Sequence, residues 1–89
     1  MSAASTLLPG LKIDLGIVTD AYDTRLLAYL QTAQARITEE GVVLTDSVED
    51  DQLTIQYAAW MWRKRDSGDG MPRMLRYALN NRIFSRKMQ

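Results

Sequence analysis

The chain contains no cysteine and no histidine. These absences exclude thiol nucleophiles, imidazole bases, disulfides and zinc sites with the usual ligands. The five glycines form no phosphate-binding loop, and neither Gly-x-Ser-x-Gly nor Ser-x-x-Lys occurs. We therefore expect a protein that is not an enzyme and that needs no cofactor and no metal ion.

Long apolar runs are also missing. No stretch approaches the ~20 residues of a membrane-spanning helix, and residues 1–6 are too short and uncharged for a signal peptide. With 89 residues, 46% of them hydrophobic, the chain is long enough for one small domain with a modest core. We expect a single domain over residues 1–89 and no membrane partner.

The formal net charge of zero hides a separation of charge along the chain. Residues 1–51 carry nine acidic and three basic side chains, a formal charge of −6, and residues 52–89 carry the opposite charge of +6. One interpretation is that the two halves neutralise each other within one molecule. The other is that the acidic side of one subunit meets the basic side of a neighbour, a head-to-tail contact that closes into a ring when the rotation between subunits permits.

Apolar residues recur at steps of three and four, so we predict an all-α fold, a small bundle of three main helices plus a short N-terminal helix. Gly16 and Gly41 are suited to end the first and second helices, and Asp46 or Ser47 to cap the third. Thr19-Asp20 is a start signal for the second helix. Pro72 is suited to the first turn of the last helix, as Pro9 is to that of the first. The predicted helices cover residues 7–15, 20–40, 48–65 and 71–86.

The same spacing predicts the core. The third helix is apolar on most sides, with Ile55, Ala59 and Trp62 on a second face, and such a helix is normally central to its fold. Residues 42–44 are interpreted as a loop tucked onto the core, and we expect Trp60→Ala to cost roughly 3–5 kcal/mol. The predicted core residues are Tyr22, Leu26, Leu30, Ile37, Leu53, Tyr57, Trp60, Met61, Leu75 and Leu79.

Two clusters of charged residues are candidate functional sites. The acidic one is Asp46, Glu49, Asp50 and Asp51, where capping of the third helix is favoured over a metal site because the spacing does not match an EF-hand loop. The basic one is Arg63-Lys64-Arg65 with Arg73, Arg76 and Arg82. Beside Trp60 and Trp62 it resembles a nucleic-acid patch, but tryptophans at helical spacing are more often core. A helix–turn–helix needs a shorter turn than residues 66–70.

A second apolar stripe on the last helix consists of Tyr77, Phe84 and Met88. In so small a domain it has no obvious place inside, so we expect it to contact another subunit or partner. Residues 80–89, which also carry Arg82, Arg86 and Lys87, are predicted to be a docking tail.

Three segments together resemble the head–tail connector proteins of long-tailed bacteriophages, also called head-completion or adaptor proteins. They are residues 8–17 (LPGLKIDLGI), 58–65 (AAWMWRKR) and 71–82 (MPRMLRYALNNR), in this order and spacing. The resemblance implies a small all-α structural protein that forms a ring beneath the portal of a DNA-filled capsid. It implies no catalysis.

The resemblance also implies partners and a location. These are the portal protein, a tail-side completion or stopper protein, further copies of the chain, and genomic DNA that passes without sequence recognition. The place is the virion, and the host cytoplasm during assembly. A small helical DNA-binding regulator and an adaptor or antitoxin-like binding module remain as alternatives. The candidate interface residues are Asp50, Asp51, Arg63, Lys64, Arg65, Tyr77, Arg82, Phe84, Arg86 and Lys87.

Overall fold

The structure is a computed structural model that describes residues 1–65, 68 and 70–87, with side chains as far as residue 84. The regular elements of this part of the chain are four α-helices, and it contains no strand. The helices are α1 (Ala4–Leu15), α2 (Asp23–Glu39), α3 (Val48–Lys64) and α4 (Arg73–Lys87). The prediction of an all-α fold is confirmed for these residues.

Helix α1 begins three residues earlier than the sequence predicts. Ala4, Leu7 and Leu11 recur at steps of three and four, and all three are buried, so packing extends the helix towards the N-terminus. As a result Pro9 lies inside the helix and not in its first turn. Gly16 ends the helix in the left-handed conformation, with a φ of 70°, as predicted.

Helix α2 begins at Asp23 and not at the predicted Thr19-Asp20 signal. Asp20 of this signal and Asp23 in the first turn of α2 both pair with Lys12 of α1, whose Nζ lies 3.0 Å from Asp20 Oδ1 and 2.9 Å from Asp23 Oδ1. These contacts, with that to Asp23 the largest, raise the pKa of Lys12. Gly41 follows the other end of α2 with a φ of 102°, which confirms its predicted place.

Helix α3 is the centre of the fold, as predicted. It packs against α1, α2 and α4, whereas the main helical neighbour of α4 is α3 itself. Seven of the ten predicted core residues are buried, and Trp60 and Met61 are partly buried against them. Tyr22 is a wrong prediction: it lies just before α2 and is 48% exposed, although its ring makes an edge contact with Trp62.

The second face of α3 is also buried. Ile55, Ala59 and Trp62 lie in the core, so Trp62 and not Trp60 is the buried tryptophan. Residues 42–44 form the predicted loop on the core, with Val42 and Leu44 buried and Val43 exposed.

Candidate protein interface on the last two helices

An ion pair joins the start of α3 to α4. Asp50 accepts hydrogen bonds from Arg82, with Nε–Oδ1 at 2.6 Å and Nη2–Oδ2 at 2.9 Å, and from the amide and hydroxyl of Thr45 at 2.7 and 2.8 Å. The Arg82 hydrogen bond lowers the pKa of the Asp50 carboxyl to about 2 and raises that of Arg82. The sequence predicts that Asp50 and Arg82 contact another chain. Here they bind each other, and Asp50 is only 2% exposed.

A second arginine of α4 is also paired within the molecule. Arg76 Nη1 lies 2.6 Å from Glu40 Oε1, just beyond the end of α2. The acidic and basic halves of the chain therefore neutralise each other in part, as the first interpretation of the charge separation holds. Only the charged side chains outside these pairs are available to a partner.

The acidic cluster at the start of α3 has divided roles. Ser47 is the cap of the helix, since its hydroxyl accepts a hydrogen bond from the Asp50 amide at 3.2 Å. The amino terminus lies 3.1 Å from Asp46. The side chains of Glu49 and Asp51 have no hydrogen-bond or ion-pair partner among the described residues. No group of acidic side chains in the described part is arranged to hold a metal ion.

The basic residues at the end of α3 diverge. Arg63 Nη2 donates to the carbonyl of Asp14 at 3.2 Å, and the Lys64 ammonium lies 4.3 Å from the centre of the Trp60 ring. The Arg65 guanidinium lies 3.9 Å from the centre of the Trp62 ring and donates to the Trp62 carbonyl. Arg65 is therefore directed towards the aromatic cluster of Trp62, whereas Arg63 and Lys64 line a groove.

This groove, the α3–α4 groove, has a volume of about 440 Å³. Its floor and walls are largely apolar, and Trp60 spans one side by donating through Nε1 to the Gly70 carbonyl at 3.2 Å. The sequence does not reveal the groove, because its sides come from segments far apart in the chain. The lining residues are Asp14, Gln56, Ala59, Trp60, Arg63, Lys64, Gly70, Pro72, Met74 and Leu75.

The outward side of α4 is apolar without being covered. Met74 is 82% exposed, Tyr77 66% and Phe84 64%. We call these three residues the outer face of α4. Tyr77 and Phe84 are predicted interface residues, while Met74 was missed, although its step of three from Tyr77 is a helical spacing. Met88 lies outside the described residues, as do the side chains of Arg86 and Lys87.

The pKa directions of the described residues can be compared with what proton transfer requires. The clear pKa shifts among the described groups move Asp50 down and Lys12, Tyr57 and Arg82 up, in each case away from neutral pH. A general acid or base works best with a pKa near the working pH. What the site does present is exposed aromatic and cationic side chains.

No protein-family model, curated protein or solved structure matches this chain. None of the helices in the described part has the length and apolar character needed to cross a lipid bilayer.

Proposed function

We propose that this protein is a structural subunit of the head–tail junction of a long-tailed bacteriophage. It forms a ring beneath the portal, joins the DNA-filled head to the tail and extends the DNA channel. It acts in the virion and is present in the host cytoplasm during assembly. Its contribution is to hold other proteins, without catalysis, a cofactor or a metal ion.

The outer face of α4 is the observation that carries this proposal. Leu75 and Leu79 are buried on the opposite side, and Arg76 and Arg82 are paired with carboxylates of the body. The helix therefore presents its outward side in a fixed position. Exposed aromatic residues held rigidly are the usual anchors of protein interfaces.

The partners of this surface follow from the sequence resemblance. The predicted docking tail, residues 80–89, is helical as far as residue 87, and Phe84 lies exposed within it. We assign this end of α4 to the portal or to the tail-side completion protein. Copies of the chain meet through their remaining charges, and DNA passes through the ring without sequence recognition.

The test is a double variant, Tyr77→Ala with Phe84→Ala, introduced into the phage genome that carries this gene. We expect the purified variant to keep its helicity and induced cells to release DNA-filled heads without tails, counted by electron microscopy. Val18→Ala is the matched control, because Val18 is 97% exposed but lies in the loop between α1 and α2. Normal tailed particles from the double variant, or virions that lack this protein, contradict the proposal.

The alternative function, a small DNA-binding regulator, is favoured by one observation: Arg63 and Lys64 lie beside Trp60 along one groove. Cations beside an aromatic ring also suit nucleic acids. The pairing of Arg76 and Arg82 with carboxylates weakens this case, because it removes two cations from the last helix. Duplex binding that falls steeply with salt would support a regulator.

A further inference from the structure

The α3–α4 groove combines an apolar interior with a positive edge. Ala59 and Leu75 are buried at its base, Trp60 and Met74 line it, and Arg63 and Lys64 bring two cations to it. Asp14 is the one carboxylate among the described lining residues. The chemistry that fits is an apolar side chain next to carboxylates.

The same molecule carries a surface of this complementary kind at the start of α3. Val48 is 73% exposed, and the carboxylates of Glu49 and Asp51 have no partner among the described residues. We call Val48, Glu49 and Asp51 the acidic corner. It offers one exposed apolar side chain flanked by two uncompensated negative charges.

The cationic edge of the groove and the acidic corner are at opposite ends of α3. Arg63 follows Glu49 by fourteen positions, so the two residues are about 21 Å apart along the axis of α3. A molecule therefore cannot place its acidic corner in its own groove. Any contact between the two surfaces joins two molecules.

We propose that the α3–α4 groove receives the acidic corner of a second copy of this chain. Val48 packs against Trp60 and Met74 of the neighbour, while Glu49 and Asp51 pair with Arg63 and Lys64. The inference rests on the proposed function, because it names the two surfaces through which identical subunits form the ring. Two different patches in contact make a heterologous interface, the kind that closes into rings.

Cysteine cross-linking tests this contact even when association is weak. The chain has no cysteine, so a protein with Val48→Cys and another with Gln56→Cys carry one thiol each. The two proteins are mixed with a short bis-maleimide. We expect them to form a covalent heterodimer at least about tenfold faster than a control pair, because binding raises the local thiol concentration. The control pairs Val48→Cys with Thr32→Cys, an exposed position on α2. Equal rates for the two pairs overturn the proposal.

Charge exchange identifies the partners within the contact. Adding Glu49→Lys and Asp51→Lys to the Val48→Cys protein should lower cross-linking to the control rate. Adding Arg63→Glu and Lys64→Glu to the Gln56→Cys protein should then restore it. Glu39→Lys and Arg25→Glu are matched changes at exposed positions of α2 and should have no effect, and circular dichroism checks that each variant is folded. Failure of the exchanged pair to recover, in folded proteins, overturns the assignment.

The size of the complex separates this inference from the proposed function. Native mass spectrometry at high concentration should show species that grow beyond two copies. If charge exchange restores cross-linking but the complexes contain no more than two copies, the contact between groove and acidic corner is supported and the ring is contradicted. Rings on portal-bearing particles, together with cross-linking at the control rate, support the proposed function and overturn this contact.

Discussion

Asp50 is the residue on which the attachment of the last helix depends most. Its carboxylate collects hydrogen bonds from Arg82 and Thr45, and Arg82 donates further to the Val43 carbonyl at 2.8 Å. One side chain thus links the loop before α3, α3 itself and α4. Removing one partner of a buried pair leaves the other charge uncompensated, which costs more than the pair contributes in isolation.

Asp50→Asn is therefore expected to lower the free energy of unfolding at pH 7 by about 2 kcal/mol. The pKa of Asp50 falls from its ordinary 3.8 to about 2 on folding. A depressed pKa stabilises the folded state above pH 3.8, and this stabilisation is lost as the pH falls through about 2. Urea unfolding of both proteins at pH 7, 4 and 2 should show the difference narrowing at acid pH. A difference that is constant over this range contradicts the role of the ionised carboxylate.

The two tryptophans of α3 should respond differently to truncation. Trp62 is 9% exposed and makes edge contacts with Tyr22 and Tyr29, each with ring centres 5.6 Å apart. We expect Trp62→Ala to cost about 3–5 kcal/mol. Trp60 is only partly buried and lines the groove, so Trp60→Ala should cost clearly less than the sequence alone predicts. Thermal unfolding of both variants decides the order, and a larger loss for Trp60→Ala contradicts this assignment.

At the scale of elements, α4 has two sides with different tasks. Leu75 and Leu79 attach it to the body, and the outer face is exposed; we propose that Tyr77 and Phe84 of this face bind a partner, while Met74 borders the groove. Since Phe84 is 64% exposed, its side chain contributes little to the stability of one molecule.

Deleting residues 85–89 together with Phe84→Ala should therefore change the free energy of unfolding by no more than about 0.5–1 kcal/mol. Leu79→Ala, on the buried side of the same helix, should cost about 2–5 kcal/mol. Urea unfolding compares the two. If the deletion variant loses as much stability as Leu79→Ala, this end of α4 belongs to the core and not to a docking surface.

Helix α1 contains a proline where its packing requires a continuous helix. Pro9 has no amide hydrogen for the Ser5 carbonyl four residues earlier, and a proline ring inside a helix generally crowds the carbonyl at that position. Because Pro9 is exposed, Pro9→Ala removes this cost without opening the core. We expect a gain of about 1–2 kcal/mol after allowing for the more flexible unfolded chain. A lower thermal midpoint for the variant contradicts this account.

At the scale of the whole molecule, we propose that the charge separation serves two purposes. Arg76 and Arg82 hold α4 to carboxylates of the acidic half, so part of the charge stabilises the fold. Exposed groups such as Glu49 and Arg63 remain towards the two ends of α3. Contacts between copies should then depend on exposed charges, which salt screens more strongly than buried pairs.

Self-association is accordingly expected to weaken as salt rises from about 0.1 M to about 1 M, where the screening length falls from about 10 to about 3 Å. The thermal midpoint should move little, because Asp50 is buried within its pair with Arg82. Analytical ultracentrifugation and thermal unfolding in the same buffers measure the two effects. Association that is independent of salt contradicts a charged interface.

The resemblance to connector proteins and the proposed ring remain predictions, since the fold bears on neither. Helical spacing alone located four helices and most of the core, because the period of apolar residues reflects which side of each helix is buried. The helix starts were less predictable. Capping signals compete with tertiary contacts, so Asp20 binds Lys12 and does not begin α2.

The amino-acid sequence by itself determined the all-α architecture, the central place of α3 and the absence of thiol nucleophiles, imidazole bases and the usual zinc ligands. These three features depend only on residue types and on their local spacing. Only the tertiary structure decided which charges are internal, that Trp62 and not Trp60 is buried, and that a groove lies beside Arg63 and Lys64. Such features arise where segments distant in the chain meet, and local spacing carries no information about which residues those will be.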